Sequence, residues 1–286
     1  MPTDVVVAFN ELLGRQGLTA LQLQTANERI TDIRAYFAAS LQMQQPVFTI
    51  GSANRGTMVA GERDIDLMAV VTDFYANQYR TDSRQFLYDV RTLLARRYPR
   101  TDVGARQLAV VLDFNVIRTE VVPAFTRNPN GYWIANGRQG WKGTNPPYHA
   151  QLVGQADALH GQRLKPLVRL IKAWNVVHAL RLRSFHLEML VKRMWDGNAI
   201  GVWPAAVAGT LRVLGGWVNQ SFTDPWDNVT RIDDYLSANE RAQAVRTINE
   251  SAAAATTAEQ HRLAGRIPAA FERWQVVYRH TFPAYG

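Results

Sequence analysis

The sequence predicts an α/β chain of two lobes: a mixed lobe over residues 1–150 that includes a long N-terminal helix, and an all-helical lobe over 151–286. Three observations carry this. Short apolar runs alternate with helix-period segments up to about residue 150. Beyond that point every periodic segment has helical spacing, so a mixed layer gives way to a helical one. At 286 residues the chain can also bury a substantial core, in one large domain or two lobes.

Residues 4–14 and about 19–43 have helical periodicity. In the second, Leu21, Leu23, Ala26, Ile30, Ile33, Tyr36, Phe37 and Leu41 recur near three- and four-residue spacing, which marks a long helix, a candidate spine. Residues 47–50 and 65–71 read as strands on either side of a Gly51-Ser52 turn. Residues 83–98 form an amphipathic helix through Phe86, Leu87, Val90, Leu93 and Leu94, stopped near Pro99. Gln107–Phe114 and Val116–Phe125 read as a hairpin turning at Asn115, and the Pro- and Gly-rich segment 127–147 as loop. Helices follow at roughly 149–160, 162–182, 184–195, 204–217, 237–262 and 266–280, with breaks at Gly215-Gly216 and 221–227.

The chemistry concentrates in residues 51–66. Residues i and i+2 of a strand point the same way, so Asp64 and Asp66 project side by side. Two carboxylates so placed repel unless a cation sits between them, and hard divalent ions accept oxygen ligands of this kind. The Gly51-Ser52 turn supplies N–H groups and a hydroxyl suited to a phosphate. Phosphate cradle and metal-binding pair together imply nucleotidyl transfer. Two-metal chemistry calls for a further acid, and the hairpin offers Glu120, with Asp113 as the fallback.

In residues 162–182, Leu164, Leu167, Val168, Leu170, Ile171, Trp174 and Val177 share one broad helix face, and Lys165, Arg169 and Lys172 lie opposite. Lys172 is therefore expected on a polar face, where replacing it leaves packing intact. Ser184 reads as the N-cap of the next helix or as a second phosphate contact. Phe185 is open to two roles, core packing or stacking on a base.

Composition narrows the classes. The chain has no cysteine, which excludes disulfides and thiolate zinc sites, and its six histidines lack metal-ligand spacing. Mg²⁺ (or Mn²⁺) is the expected cofactor. The net charge of +8 is mostly scattered arginine with only four lysines, a pattern that suits small anionic nucleotides and does not single out a nucleic acid. No apolar run approaches the ~18–20 residues of a membrane span, and Met1-Pro-Thr-Asp4 lacks the basic start of a signal peptide, so a cytoplasmic chain with no membrane partner is expected.

Over about residues 45–195 the chain resembles the cGAS/DncV-like nucleotidyltransferases, bacterial cyclic-oligonucleotide synthases of anti-phage defence, and more distantly the 2′-5′-oligoadenylate synthetases. The resemblance rests on Gly51-Ser52, Arg55-Gly56-Thr57, Asp64-Ile65-Asp66, Glu120 to Phe125, Lys172 to Asn175 and Ser184 to Glu188, in this order and spacing. It continues weakly through Asp224-Pro225, Asp233 to Leu236 and Phe282-Pro283. It implies a polymerase-β-like catalytic lobe, a helical lobe, and an active site in the cleft between them. It further implies that Asp64, Asp66 and Glu120 are catalytic and hold two Mg²⁺, and that Gly51, Ser52, Lys172 and Ser184 bind the donor triphosphate while Phe185 stacks on its base. The family has Asp where this chain has Glu120, and the extra methylene moves a carboxylate by about 1 Å. The resemblance implies a monomer acting on NTPs, with a cyclic di- or trinucleotide product that acts on a separate effector. The rival readings are transfer of a nucleotide to tRNA, protein or a small molecule, and, because of Glu120, a degenerate nucleotide-binding homologue.

Overall fold

The computed structural model describes residues 1–62 and 64–286. In chain order the elements are α1 (Val5–Gly14), α2 (Ala20–Ser40), β1 (Phe48–Ile50), α3 (Gly51–Arg55), β2 (Asp64–Val70), α4 (Ala76–Tyr79), α5 (Ser83–Arg97), β3 (Asp102–Arg106), β4 (Ala109–Asp113), β5 (Arg118–Thr126), β6 (Tyr132–Ala135) and β7 (Trp141–Thr144). Helices then continue as α6 (Pro146–Leu159), α7 (Leu164–Val177), α8 (Ser184–Trp195), α9 (Trp203–Val218), α10 (Ala238–Leu263) and α11 (Ile267–Tyr278). They gather into two compact units, one of residues 18–56 and 62–150, the other of 1–17, 57–61 and 151–286.

The first unit is built on one sheet with the strand order β1-β2-β5-β4-β3, and β6 joins β5 to β7. β2 and β5 run parallel, with Asp64 opposite Arg118 and Asp66 opposite Glu120. The other pairings are antiparallel. Strand alternation then gives each face a character. One face carries Ile65, Leu67, Val121 and Phe125 and is covered by α5, whose Phe86 stacks on Phe125 at 5.0 Å. The other face is apolar at one end, where Ile50, Met68, Val70, Val122, Ala124 and Ile134 cluster. At its opposite end it carries Asp64, Asp66 and Glu120.

Local chemistry starts the helices. A capping box between Thr19 and Gln22 opens α2, and the Asp82 carboxylate accepts the Arg84 and Gln85 N–H groups at the start of α5. The two helices are tied by Asp32, which pairs with Arg97 at 2.5 Å and accepts from the Tyr98 hydroxyl. The segment expected as loop holds β6 and β7, and β3 precedes the expected hairpin. β6 and β7 are four residues long, and every residue of β7 is only half-buried, so neither shows a strand's alternation.

In the second unit α7 contacts α1, α8, α9 and α11. α10 buries a stripe of small residues, Ala244, Ser251, Ala255 and Ala258, and its Ser251 accepts a hydrogen bond from Trp174 Nε1 at 2.9 Å. The helix expected over 162–182 ends at Val177, and Ala179 then turns through φ +50°. α1 belongs to this unit, not to the mixed one, because Phe9 sits in an aromatic cluster: its ring lies 4.8 Å from Trp274, 5.8 Å from Tyr278 and 5.2 Å from Phe282. Among the described residues no helix is long and apolar enough to cross a membrane.

Phe9 is fully buried. Phe9→Ala is expected to lower the unfolding free energy by about 3–5 kcal/mol, read by urea denaturation of the whole chain. A loss under about 1 kcal/mol would show that α1 is a loosely attached extension.

Candidate active site

Asp64 and Asp66 begin a strand whose remaining residues are buried apart from the acids themselves. Parallel pairing sets Glu120 directly beside Asp66 and Arg118 directly beside Asp64. These four side chains therefore form a two-by-two patch on one face of the sheet. The Arg118 guanidinium donates to Asp64 Oδ2 at 2.5 Å and lies 3.4 Å from Glu120 Oε1. Asp113 faces Arg118 from β4, but its carboxylate accepts the Asn115 N–H at 3.1 Å and shapes the turn, where Asn115 is left-handed at φ +63°. The register thus favours Glu120 over Asp113 as the third acid.

Gly51 and Ser52 open α3, directly after Ile50, which pairs with Asp66. Gly51 has φ +66°, and a Cβ built on it would overlap the Asp66 carboxylate. Glycine is required here twice over, by its backbone and by the close approach of the acid. Ser52 is buried. The first unit thus brings together five of the expected residues, Gly51, Ser52, Asp64, Asp66 and Glu120.

The electrostatics follow. Burial, and then the nearby Asp64 charge, hold the Glu120 carboxyl above the usual range, while Arg118 and Arg106 oppose this weakly. Burial works against the Arg118 charge, yet the Asp64 hydrogen bond and the surrounding carboxylates raise its pKa. Among the described residues no three acidic or histidine side chains already converge as metal ligands. The donor set nevertheless fits a hard divalent ion: three carboxylates on one face, all-oxygen, in mutual repulsion that a cation relieves. The Arg118 guanidinium stands among these acids, on Asp64.

Lys172, Ser184 and Phe185 lie in the helical unit. Lys172 is fully buried rather than on a polar face: its Nζ donates to the Thr57 carbonyl at 2.9 Å and lies 3.6 Å from Glu188 Oε1. The expectation of a solvated face fails because α7 is surrounded by four other helices. Ser184 is the first residue of α8; the N-cap position is Arg183, whose N–H donates to the Tyr235 hydroxyl at 2.7 Å. That hydroxyl also bonds His186 Nδ1 at 3.0 Å. Burial pushes His186 down to about 4 and Tyr235 up to about 12, so both are neutral at pH 7. Phe185 is half-buried and packs partly against the helical core. Local sequence pattern does not mark Glu188, Tyr235 and Arg118 as the partners of Lys172, His186 and Asp64. A buried lysine must find an acid, and Glu188, on the next helix, was the visible signal.

Residues 4–156 match the family model of the Second Messenger Oligonucleotide or Dinucleotide Synthetase domain. The cyclic AMP-AMP-AMP synthase of an Acinetobacter species is 28% identical over 149 residues, which is 50% of this chain and 42% of that protein. The chain thus matches less than half the length of that relative. A Bacillus cereus protein named "Probable cyclic nucleotide synthase" is 23% identical over 284 residues, covering 84% of this chain and 82% of that one. Among solved structures, E. coli MS115-1 CdnC with ATP is similar at a TM-score of 0.80 and 15% identity, covering 99% of this chain and 100% of that chain. That likeness shows the fold.

Removing the Lys172 ammonium takes a buried donor from the Thr57 carbonyl and a charge from beside Glu188. Lys172→Met is expected to cost about 3–5 kcal/mol, with part of the loss recovered by adding Glu188→Gln. Thermal melting of the two variants checks this; an unchanged melting temperature for Lys172→Met would contradict the buried pairing.

Proposed function

The chain belongs to the Second Messenger Oligonucleotide or Dinucleotide Synthetase family, and on that premise we propose that it joins NTPs into a cyclic di- or trinucleotide, releasing pyrophosphate at each bond. The observation that carries this reading is the patch of Asp64, Asp66 and Glu120 on one sheet face, with the Gly51 backbone against Asp66. The names of the relatives, a cyclic AMP-AMP-AMP synthase and a CdnC solved with ATP, make ATP the first substrate to test.

Asp64, Asp66 and Glu120 would hold Mg²⁺ or Mn²⁺, which lowers the pKa of an attacking ribose hydroxyl and neutralises the departing pyrophosphate. The chain's own contribution is placement. The β2–β5 pairing sets the acids side by side, and Gly51 leaves room for the Asp66 carboxylate. Gly51 and Ser52 meet the donor triphosphate. The family resemblance assigns Ser184 a second triphosphate contact and Phe185 stacking on the donor base. Lys172 serves the donor by position, holding the Thr57 carbonyl just after the Arg55-Gly56 turn. The product is a second messenger for a separate effector in anti-phage defence.

Labelled ATP with Mg²⁺ and the pure protein tests the reading. A phosphatase-resistant product formed without any acceptor supports cyclisation. A product that needs added tRNA, protein or small molecule would replace it with acceptor transfer, and no product with any NTP or acceptor would leave a nucleotide-binding homologue.

Two substitutions probe the acids. Asp66→Asn is expected to lower turnover on the order of a hundredfold or more with the melting temperature nearly unchanged. Glu120→Gln should abolish activity, whereas Asp113→Asn, at a residue that caps the Asn115 turn and faces Arg118, should lose much less. The reverse order would move the third acid to Asp113.

A further inference from the structure

Arg118 is the one member of the acidic patch that the proposed chemistry does not use. It stands two residues before Glu120 on β5 and opposite Asp64 on β2, so alternation aims it at the same face as all three acids. Asp113 faces it from β4. Its guanidinium reaches Asp64 Oδ2 at 2.5 Å and comes within 3.4 Å of Glu120 Oε1, spanning the two outer corners of the patch. Its side chain and those of Asp64 and Glu120 are each about a third exposed, so this is not a sealed structural pair. A cross-strand pair at such a site adds little to stability, typically under about 1 kcal/mol. A role in stability alone therefore does not account for its position.

Its chemistry suggests another. A guanidinium keeps its charge at every accessible pH and binds carboxylates as a fork. Placed among acids that repel one another, it supplies part of the positive charge that a divalent ion would supply in full. Its fixed charge, held on Asp64 Oδ2, opposes the charge of a divalent ion that approaches the same acids.

We propose that Arg118 is a resident counter-cation of the acidic site: its fixed charge offsets the repulsion between Asp64 and Glu120 and weakens the hold of the three acids on a divalent ion. The proposal rests on the reading that Asp64, Asp66 and Glu120 hold divalent ions. Arg118 then tunes the affinity for free metal, since its positive charge repels any ion that binds beside it. Losing its charge also leaves Asp64 and Glu120 repelling each other, a small cost at so exposed a site.

The test is Mn²⁺ titration, by calorimetry or electron paramagnetic resonance, on the full chain without nucleotide. Arg118→Gln is expected to bind Mn²⁺ about tenfold more tightly than the native chain, the size expected for removing one fixed positive charge near the ion. In metal-free buffer it should melt at a lower temperature, and saturating Mn²⁺ should close that gap. Arg118→Lys, which keeps the charge but lacks the fork, should fall between the two, and it decides the matter if the glutamine variant does not fold. Unchanged or weaker Mn²⁺ binding in the variant that folds overturns the proposal.

Asp66→Asn separates this from failure of the underlying reading. If it abolishes Mn²⁺ binding while Arg118→Gln leaves the affinity unchanged, the acids are ligands and Arg118 alone has been misassigned. If Mn²⁺ binds equally well to the native chain and to Asp66→Asn, or to neither the native chain nor Arg118→Gln, the carboxylate reading fails and takes the proposal with it.

Discussion

Carboxylates on neighbouring strands repel, and this sheet gives them no room to separate. Asp66 and Glu120 are paired residues of the parallel β2–β5 ladder, and Asp64 lies one side-chain repeat along the same face. The far end of that face and most of the opposite one are apolar and buried. A shift of register by one residue would relieve the acids but turn Met68, Val70 and Val122 out of their cluster and Ile65, Leu67 and Val121 out of the opposite layer. The hydrophobic pattern therefore fixes the register, and the register fixes the acids. What remains adjustable is the cation among them.

The surroundings are arranged to suit that fixed patch. Gly51 gives up its side chain where the Asp66 carboxylate arrives, and Asn115 takes the left-handed turn that returns β5 beside β4. In the helical unit the same principle, charge held by a partner rather than by water, governs Lys172 with Glu188 and Asp233 with Arg231 and Arg241. Asp233 has no exposed side-chain surface, and it also accepts the Phe222 N–H, which closes the loop between α9 and α10.

Much of this was legible in the sequence, and the parts that were not have physical reasons. The strong patterns read correctly: α5 within a residue of its expected bounds, α8 at 184–195, and the hairpin turning at Asn115. The likeness to solved structures also shows the expected mixed lobe with a helical one. β3, β6 and β7 were missed because short, half-buried strands lack the alternation that marks a strand. Residues 1–17 join the helical unit through Phe9, a contact with residues some 270 positions away that no local pattern carries. Among the site residues, the pairing of Asp64 with Asp66 follows from strand period alone, and Glu120 from its place in the hairpin. Lys172 was misjudged as solvated because helical periodicity gives the angle of a side chain but not how many neighbours a helix has. Arg118 was visible on the face of Glu120, but its contact with Asp64 depends on a β2–β5 pairing between segments about 50 residues apart.

The central claim is that three carboxylates fixed by strand register form a divalent-ion site for nucleotide chemistry. Anomalous diffraction from a crystal grown with Mn²⁺ and a non-hydrolysable ATP analogue tests it most directly. The account predicts Mn²⁺ peaks between Asp64, Asp66 and Glu120 at about 2.0–2.3 Å from carboxylate oxygens, with the triphosphate beside Gly51-Ser52. Bound nucleotide with no Mn²⁺ at these acids would contradict it.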